Sequence, residues 1–293
     1  MPGEAPGVSD PTAVFAELRP TLMGAAYRIL SSRTDAEDVV QDAWLRWRDV
    51  DHDEVVEPRA YLLTITSRLA LNRLRTLARL REAYVGPWLP EPVADASADG
   101  AAVAELADDV SMAMLVVLES LGPLERAAFV LTEVFAMPAA DVGAALDRSP
   151  AAVRQLVHRA REHVAARRPR QQVDREGHRV VVERFLAAAR GGDLDALVGL
   201  LAPDVVLVSD GGGVRSAARH PIHGASKVLR FLTGLMATPT GREATMRAER
   251  VNGETALVVR SPDGLEGVWF AAVDGGRITA VYGVRNPEKL GAV

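Results

Sequence analysis

Three prolines and a glycine fall within the seven residues Gly86 to Pro92, GPWLPEP. No helix or strand can run through such a stretch, because proline fixes φ, lacks the amide hydrogen and restricts the residue before it. The 293-residue chain is therefore built from separate parts, and its length suits about two or three domains. The break divides segments of helical periodicity, and a second change of style comes later, near Pro169.

Before the break, Pro11 to Leu30 has apolar residues at helical spacing: Val14, Leu18, Leu22, Ala25, Ala26 and Ile29. Thr34 is the expected N-cap of the next helix, with Asp35, Glu37 and Asp38 favourable in its first turn. That helix carries Val39, Val40, Ala43, Trp44 and Trp47 at helical spacing. Pro58 starts a long helix through Tyr61, Leu62, Ile65, Leu69 and Leu74. After GPWLPEP, the Ala/Asp-rich run Val93 to Asp109 is weakly periodic and reads as a linker. Val110 to Arg168 is helical again. Its last part has a helix-turn-helix layout: Pro138 to Leu146, a turn at Asp147-Arg148, then Ser149 to Val164. Ser149 suits the cap and Pro150 the first helical position. Val153, Leu156, Val157, Ala160 and Val164 form the stripe expected to be buried.

Past the polar link Pro169 to Glu176, helices are expected at His178–Ala189, Asp193–Leu201 and Ser226–Met236, and a strand at Pro203–Ser209. Strands follow at Ala244–Val251, Thr255–Arg260, Gly267–Val273 and Arg277–Val284. Asn252-Gly253, Asp263-Gly264 and Asp274-Gly275-Gly276 lie between them and favour tight hairpins. The expectation is a small α+β domain with an antiparallel meander.

The chain has no cysteine, which excludes disulfides, thiolate metal sites and cysteine nucleophiles. No apolar run is long enough to span a bilayer, and Met1 to Asp10 has no secretory pattern. A cytoplasmic protein without membrane association is the simplest expectation.

The net charge of −5 conceals a pattern. Thr34 to Glu57 holds nine acids and two arginines; Arg68 to Arg81 holds five arginines and no acid. Glu82 to Glu125 holds nine acids and no base; Arg148 to Arg170 holds seven arginines and one acid. Alternating blocks suit a protein that faces several partners. Lysine occurs only at 227 and 289. Arginine offers a planar fork for phosphates and guanine edges.

Ser149, Arg154, Gln155, His158, Arg159 and Arg161 could present a recognition helix to a major groove, with Arg167, Arg168 and Arg170 near phosphates. The plain alternative is a solvated basic face. Asp35, Glu37, Asp38, Asp42 and Trp44 lie on an acidic helix. Alone, such a helix is more often just solvated; its natural partner otherwise is a basic protein surface. Tyr61, Arg68, Asn72, Arg73, Arg75 and Arg79 combine an aromatic with cations, which suits unpaired or distorted nucleic acid.

The order of these features resembles the extracytoplasmic-function sigma factors over residues 11–168. DAEDVVQDAWLRW (Asp35 to Trp47) resembles region 2.2, which implies a grip on core RNA polymerase. PRAYLLTITSRLALNRLR (Pro58 to Arg75) resembles regions 2.3 and 2.4, which implies opening and reading of the −10 element. Leu118 to Val164 resembles region 4, which implies reading of the −35 element. The chain departs from the family in two places. Ser67-Arg68 stands where Arg-Asn is frequent, and Asn72 stands where Asp is frequent.

YVGPWLPEP (Tyr84 to Pro92), DGGG (Asp210 to Gly213) and NPEKL (Asn286 to Leu290) resemble the sigma subgroup fused to a SnoaL-like cone. The resemblance implies a built-in regulator in contact with the sigma-2 domain and the linker, through Trp88, Leu89, Pro90, Asp210, Gly211, Gly212, Gly213, Asn286 and Pro287. Asp210 before the glycines is then an exposed loop docked on the sigma body. Val214 stands where the subgroup usually has Lys.

The fold class expected is multidomain. A sigma-2 helical bundle (10–85), a linker (86–110) and a sigma-4 helix-turn-helix domain (111–168) precede an α+β SnoaL-like cone (175–293). No catalytic residue, metal or cofactor is assigned. Asp204, Asp210, His220 and His223, with Trp269 as a wall, are the residues an enzyme of this fold could use. The pocket could also take an unidentified small ligand. The free protein is expected to be a monomer. Two other classes remain: a one-component helix-turn-helix regulator with a ligand-sensing cone, and a cone enzyme with a DNA-binding module. Charge reversal at Asp38 and Asp42 is expected to weaken binding to purified core polymerase while sparing the fold. Normal affinity in a correctly folded double variant overturns that assignment.

Overall fold

A computed structural model describes residues 10–81, 83–95, 111–167 and 174–293, in two compact units. The first is Met1–Arg79 with Leu118–Ala166; the second is Leu80–Val117 with Arg167–Val293.

In the first unit, α1 (Pro11–Leu30) starts where the Asp10 side chain accepts the Thr12 amide at 3.0 Å. It ends at Ser31, in the left-handed region. The cap of α2 (Arg33–Arg48) is Ser32 rather than Thr34: its hydroxyl accepts the Asp35 amide at 3.2 Å. Thr34 instead lies one position inside the helix. Trp47, 2% exposed, ties α2 to the start of α1 by donating its indole N–H to the Pro11 carbonyl at 2.9 Å. α3 (Pro58–Arg81) buries Leu62, Leu63, Ile65, Ala70, Leu71 and Leu74, around most of its girth.

α4 (Met112–Glu119) and α5 (Pro123–Phe129) are separated at Gly122, and α5 runs into a π turn at Val130–Val134. α6 (Ala139–Leu146) and α7 (Pro150–Arg167) form the helix-turn-helix. The five residues expected beneath α7 (Val153, Leu156, Val157, Ala160 and Val164) are all buried. Asp147 makes the turn in the left-handed region, and Ser149 caps α7 by accepting the Ala152 amide at 3.2 Å. Arg126, 3% exposed, clamps the packing of α5: its guanidinium donates to Glu119 at 2.8 and 3.1 Å and to the Ile29 carbonyl at 3.0 Å. The bidentate geometry and the third bond offset the desolvation of this charge pair.

In the second unit, α8 (Arg175–Gly191) and α9 (Leu194–Leu200) lead into β1 (Leu201–Asp210). β2 (Ile222–His223), α10 (Ala225–Met236) and α11 (Pro239–Glu243) follow. β3 (Thr245–Val251), β4 (Glu254–Ser261), β5 (Gly264–Asp274) and β6 (Arg277–Val284) are the expected meander. The sheet order is β2-β1-β6-β5-β4-β3. It is mixed, because β1 pairs parallel to β6. The antiparallel meander is as expected; the strand expected at Pro203–Ser209 joins it as β1, parallel to β6, because the helices between β1 and β3 carry the chain across the sheet.

Both sheet faces are covered. One packs on α8, α9 and α10 through Val182, Leu197, Val228, Leu257 and Trp269. The other buries Val258, Val268, Phe270 and Val284 against Leu89, Met112 and Leu290. The described part of the expected linker therefore belongs to a core: Leu89 is 1% and Val93 2% exposed. Ala94 bridges to Val251, and Val93 exchanges hydrogen bonds with Asn252 at 2.6 and 2.9 Å. The acidic stretch 96–110 lies outside the described residues.

In the helix-turn-helix, a Cβ on Gly143 would lie 2.6 Å from the Arg148 carbonyl oxygen. Gly143→Ala is expected to push the turn away from α6 and lower stability by about 1–3 kcal/mol, read as the urea midpoint of the full chain.

Candidate functional site

Asp210 ends β1 and is fully buried. Such a carboxylate is tolerable only if its oxygens are hydrogen-bonded and its charge is balanced. Oδ2 accepts the Leu89 amide at 2.9 Å and the Lys289 ammonium at 2.6 Å. Oδ1 accepts the Tyr84 hydroxyl at 2.5 Å and the Gly212 amide at 3.1 Å. Lys289, 5% exposed, also donates to the Leu89 carbonyl at 2.6 Å and lies 3.0 Å from the centre of the Trp88 ring. Asn286 donates to the Tyr84 hydroxyl at 3.0 Å, and Arg81 stacks over Trp88 at 4.2 Å. Burial and the Asp210 carboxylate raise the Tyr84 phenol well above its ordinary range, so it stays a donor.

The glycines shape this clasp. Gly212 and Gly213 have φ of +61° and +75°, and a Cβ on Gly212 would meet the Asn286 side chain at 2.5 Å. Trp88, Leu89, Pro90, Asp210, Gly211, Gly212 and Asn286 thus come together, while Gly213 and Pro287 are exposed at the margin. The expectation of an exposed Asp210 loop is corrected, because the carboxylate is sealed under the linker. Val214 is 72% exposed, and its neighbour Arg215 pairs with Glu266 at 3.3 Å. Tyr84 and Lys289 were not singled out from sequence. Lys289 carried a signal: it is one of two lysines in a chain that otherwise uses arginine. A compact ammonium with rotatable donors fits this tight site better than a planar fork.

The acidic and basic helices divide into engaged and open residues. Asp35 is 8% exposed and accepts Arg73 at 2.6 Å, so two residues expected to face different partners hold α2 to α3. Glu37 pairs with Arg33 at 2.8 Å, whereas Asp38 and Asp42 are exposed. Trp44 packs on Phe15 at 5.0 Å, and half-buried Tyr61 leans on Trp47 at 5.9 Å. Arg68 donates to the carbonyls of Ala144 and, at 3.1 Å, Ala145, at the end of α6. Asn72 and Arg75 are exposed and meet at 3.3 Å. The Arg79 side chain, Arg168 and Arg170 lie outside the described residues.

On α7, Arg154, Gln155, His158, Arg159 and Arg161 all face solvent. Arg159 pairs with Glu125 at 2.8 Å, Arg161 with Glu133 at 2.7 Å, and His158 sits 3.6 Å from Glu162. Exposed pairs of this kind contribute about 0–1 kcal/mol, so a phosphate can displace them.

In the cone, Trp269 lines a cavity, but Asp204, Asp210, His220 and His223 do not. Asp204, His220 and His223 are exposed on the outside. No metal-holding cluster is present among the described residues. On the opposite face, Glu254 accepts the Met112 amide at 2.6 Å and lies 3.6 Å from His178, whose ring meets the Ala271 carbonyl at 2.8 Å. Burial pushes Glu254 up to about 8, although the Met112 amide opposes this. Burial lowers His178, and burial with the Glu254 charge raises Tyr282 to about 12.

Family models match three parts of the chain: Sigma-70 region 2 at residues 14–80, Sigma-70 region 4 at 111–164 and a SnoaL-like domain at 182–281. The chain is 40% identical over 287 residues to the ECF RNA polymerase sigma factor SigJ of Mycobacterium tuberculosis, covering 94% of this chain and 92% of the relative. It is 30% identical over 284 residues to the probable ECF RNA polymerase sigma factor SigI of the same species, covering 96% and 95%. The crystal structure of SigJ superposes with a TM-score of 0.78 at 38% identity, over 95% of this chain and 97% of that one.

Glu254 makes stability pH-dependent. Its folded value of about 8 exceeds its ordinary 4.5, so its contribution is complete at low pH and is lost as pH rises toward 8. His178, lowered from 6.5, acts the other way but only below about its ordinary value. The full chain is expected to lose up to about 1.4 kcal/mol per unit between about pH 6.5, where the opposing effect of His178 ends, and about pH 8, and Glu254→Gln to lose most of that slope. Urea midpoints across this window check it; equal slopes refute it.

Proposed function

We propose that this chain, which belongs to the extracytoplasmic-function RNA polymerase sigma factors, is regulated from within by its SnoaL-like domain, acting through the linker. Sigma factors join core RNA polymerase and direct initiation at promoters. The observation that carries the regulatory reading is the buried Asp210 carboxylate, which gathers Leu89, Tyr84 and Lys289. The linker follows α3 and precedes α4, so a cone that holds residues 84–95 governs the segment joining the −10 and −35 modules.

In this reading, sigma-2 (10–85) docks on core polymerase through Asp38 and Asp42, assisted by Glu37 and Trp44. Asp35 has a structural share through Arg73. Tyr61, Arg68, Asn72, Arg75 and Arg79 face the −10 element, and Arg73 joins them when Asp35 releases it. Sigma-4 (111–168) reads the −35 element with Arg154, Gln155 and His158. Arg159 and Arg161 exchange Glu125 and Glu133 for phosphates, and Ser149 sets the helix. The Arg68 guanidinium must leave the α6 carbonyls before it can meet DNA. The cone (175–293) and the linker (86–110) complete the layout. The free protein is a cytoplasmic monomer; no helix among the described residues is long and apolar enough to cross a membrane.

Loosening the clasp is expected to raise promoter-specific transcription. Removing one partner of a buried pair costs roughly 3–5 kcal/mol, enough to free the linker. Asp210→Asn and Lys289→Met are compared with the unaltered chain in transcription with purified core polymerase, alongside proteolysis of residues 84–95. The expected result is faster cleavage and more transcript in both variants. A released linker with unchanged transcript output sinks regulation by the clasp.

A further inference from the structure

The cone cavity, about 390 Å3, lies within the size range of small-molecule sites. Phe185, Leu232, Met236, Met246, Leu257 and Trp269 make most of its wall apolar. Its polar end is made differently. The β4–β5 register shifts between Val259 and Arg260, which leaves Glu266 without a partner across the ladder. A bulge of this kind re-aims a side chain, and Glu266 lines the cavity while only 4% exposed. Its Oε1 accepts the Ser261 hydroxyl at 2.9 Å. Its Oε2 is buried and receives no hydrogen bond. Two guanidiniums stand beside Oε2: Arg215 at 3.3 Å and Arg285 at 3.6 Å.

We propose that the cavity binds a compact, neutral, largely apolar molecule with one hydroxyl group, an alcohol or phenol, seated at Glu266 and Arg285. The hydroxyl hydrogen goes to the open Glu266 Oε2, and the hydroxyl oxygen can accept from Arg285. Of a hydroxyl, a carboxylate, an ammonium and a plain hydrocarbon, the hydroxyl alone suits both partners. A carboxylate would face the open lone pairs of Glu266. An ammonium would enter beside two guanidiniums and add a third positive charge. A hydrocarbon would fill the apolar wall and leave Oε2 with its two ion pairs but no hydrogen bond, so it gains nothing at the polar end.

The polar end also touches the clasp. The Arg285 amide donates to the Asp210 carbonyl at 2.7 Å, and Asn286 follows Arg285 directly. The Arg215 amide closes the Asp210–Gly213 turn by donating to the Gly211 carbonyl at 2.9 Å. A hydroxyl that draws on Arg285 or Glu266 therefore acts on the residues that position Asp210. The role of such a ligand as a signal rests on the clasp reading proposed above; its binding does not.

The test is calorimetric titration of the full chain, without polymerase or DNA, with four matched probes: naphthol, naphthoate, the naphthylmethylammonium ion and naphthalene. Naphthol is expected to bind at least about tenfold more tightly than the others, the usual worth of a hydrogen bond to a charged group. Glu266→Gln should bring naphthol down to the level of naphthalene. Leu232→Trp, which fills the apolar end and leaves Glu266 in place, should abolish binding of all four. Thermal melting confirms that each variant is folded. Equal binding of the four probes, no binding of naphthol, or naphthol binding indifferent to both substitutions overturns the proposal. Asp210 does not line the cavity, so the transcription test of Asp210→Asn and this titration can fail independently.

Discussion

The second unit depends on one buried negative charge. Asp210 is sealed from water, and a carboxylate in that position is stable only with its donors in place. Those donors come from distant stretches of sequence: Tyr84 and Leu89 from the linker, Gly212 from the turn after β1, and Lys289 from the C-terminal segment. Because Lys289 also holds the Leu89 carbonyl and covers Trp88, the linker cannot leave by degrees. Removing it exposes or strands an ammonium and a carboxylate together.

The same arrangement explains why the sheet carries apolar residues on both faces. β5 is buried almost throughout, Glu266 to Phe270 without a break. An antiparallel sheet with one solvated face alternates instead. The run GVWFAAV was legible as a strand, and the covering of both its faces accounts for its lack of alternation. What supplies that layer could not be read locally: it is Leu89, Met112 and Leu290, from three separate segments. The linker looked irregular because it is irregular; three prolines deny it a ladder. Its burial follows from side chains and from Asn252 reaching the Val93 amide, neither of which leaves a periodic trace. The parallel pairing of β1 with β6 was hidden for a similar reason, since it depends on a long crossover rather than on a turn signal.

The helical half was more legible because its rules are local. The stripe beneath α7, its serine cap and the left-handed Asp147 all follow from spacing and turn chemistry. The sequence could not show which exposed-looking charges were already engaged. Asp35 and Arg73 belong to blocks of opposite sign and neutralise each other. Arg68 sits at the negative end of α6, where helix carbonyls lack partners of their own and a guanidinium is favoured. Part of each charge block is complementary to another part of the chain.

That complementarity bears on how a switch built this way can work. Deleting one partner of a buried ion pair costs roughly 3–5 kcal/mol because the other charge is left buried; opening the clasp rehydrates both charges and costs less, while nanomolar binding corresponds to about 12 kcal/mol. A partner of ordinary affinity can therefore open the clasp and still bind. Moving a two-state equilibrium from 1:99 to 99:1 needs about 5.5 kcal/mol of differential binding. In the proposed reading the Asp210 network biases the linker without locking it. The surface pairs at Arg159 and Arg161 are weaker, and a phosphate can replace their acids at little cost. The chain thus places its buried charge contacts at the linker and its exposed, cheaper ones on α7. In the regulatory reading proposed above, that division assigns timing to the linker and affinity to the exposed arginines.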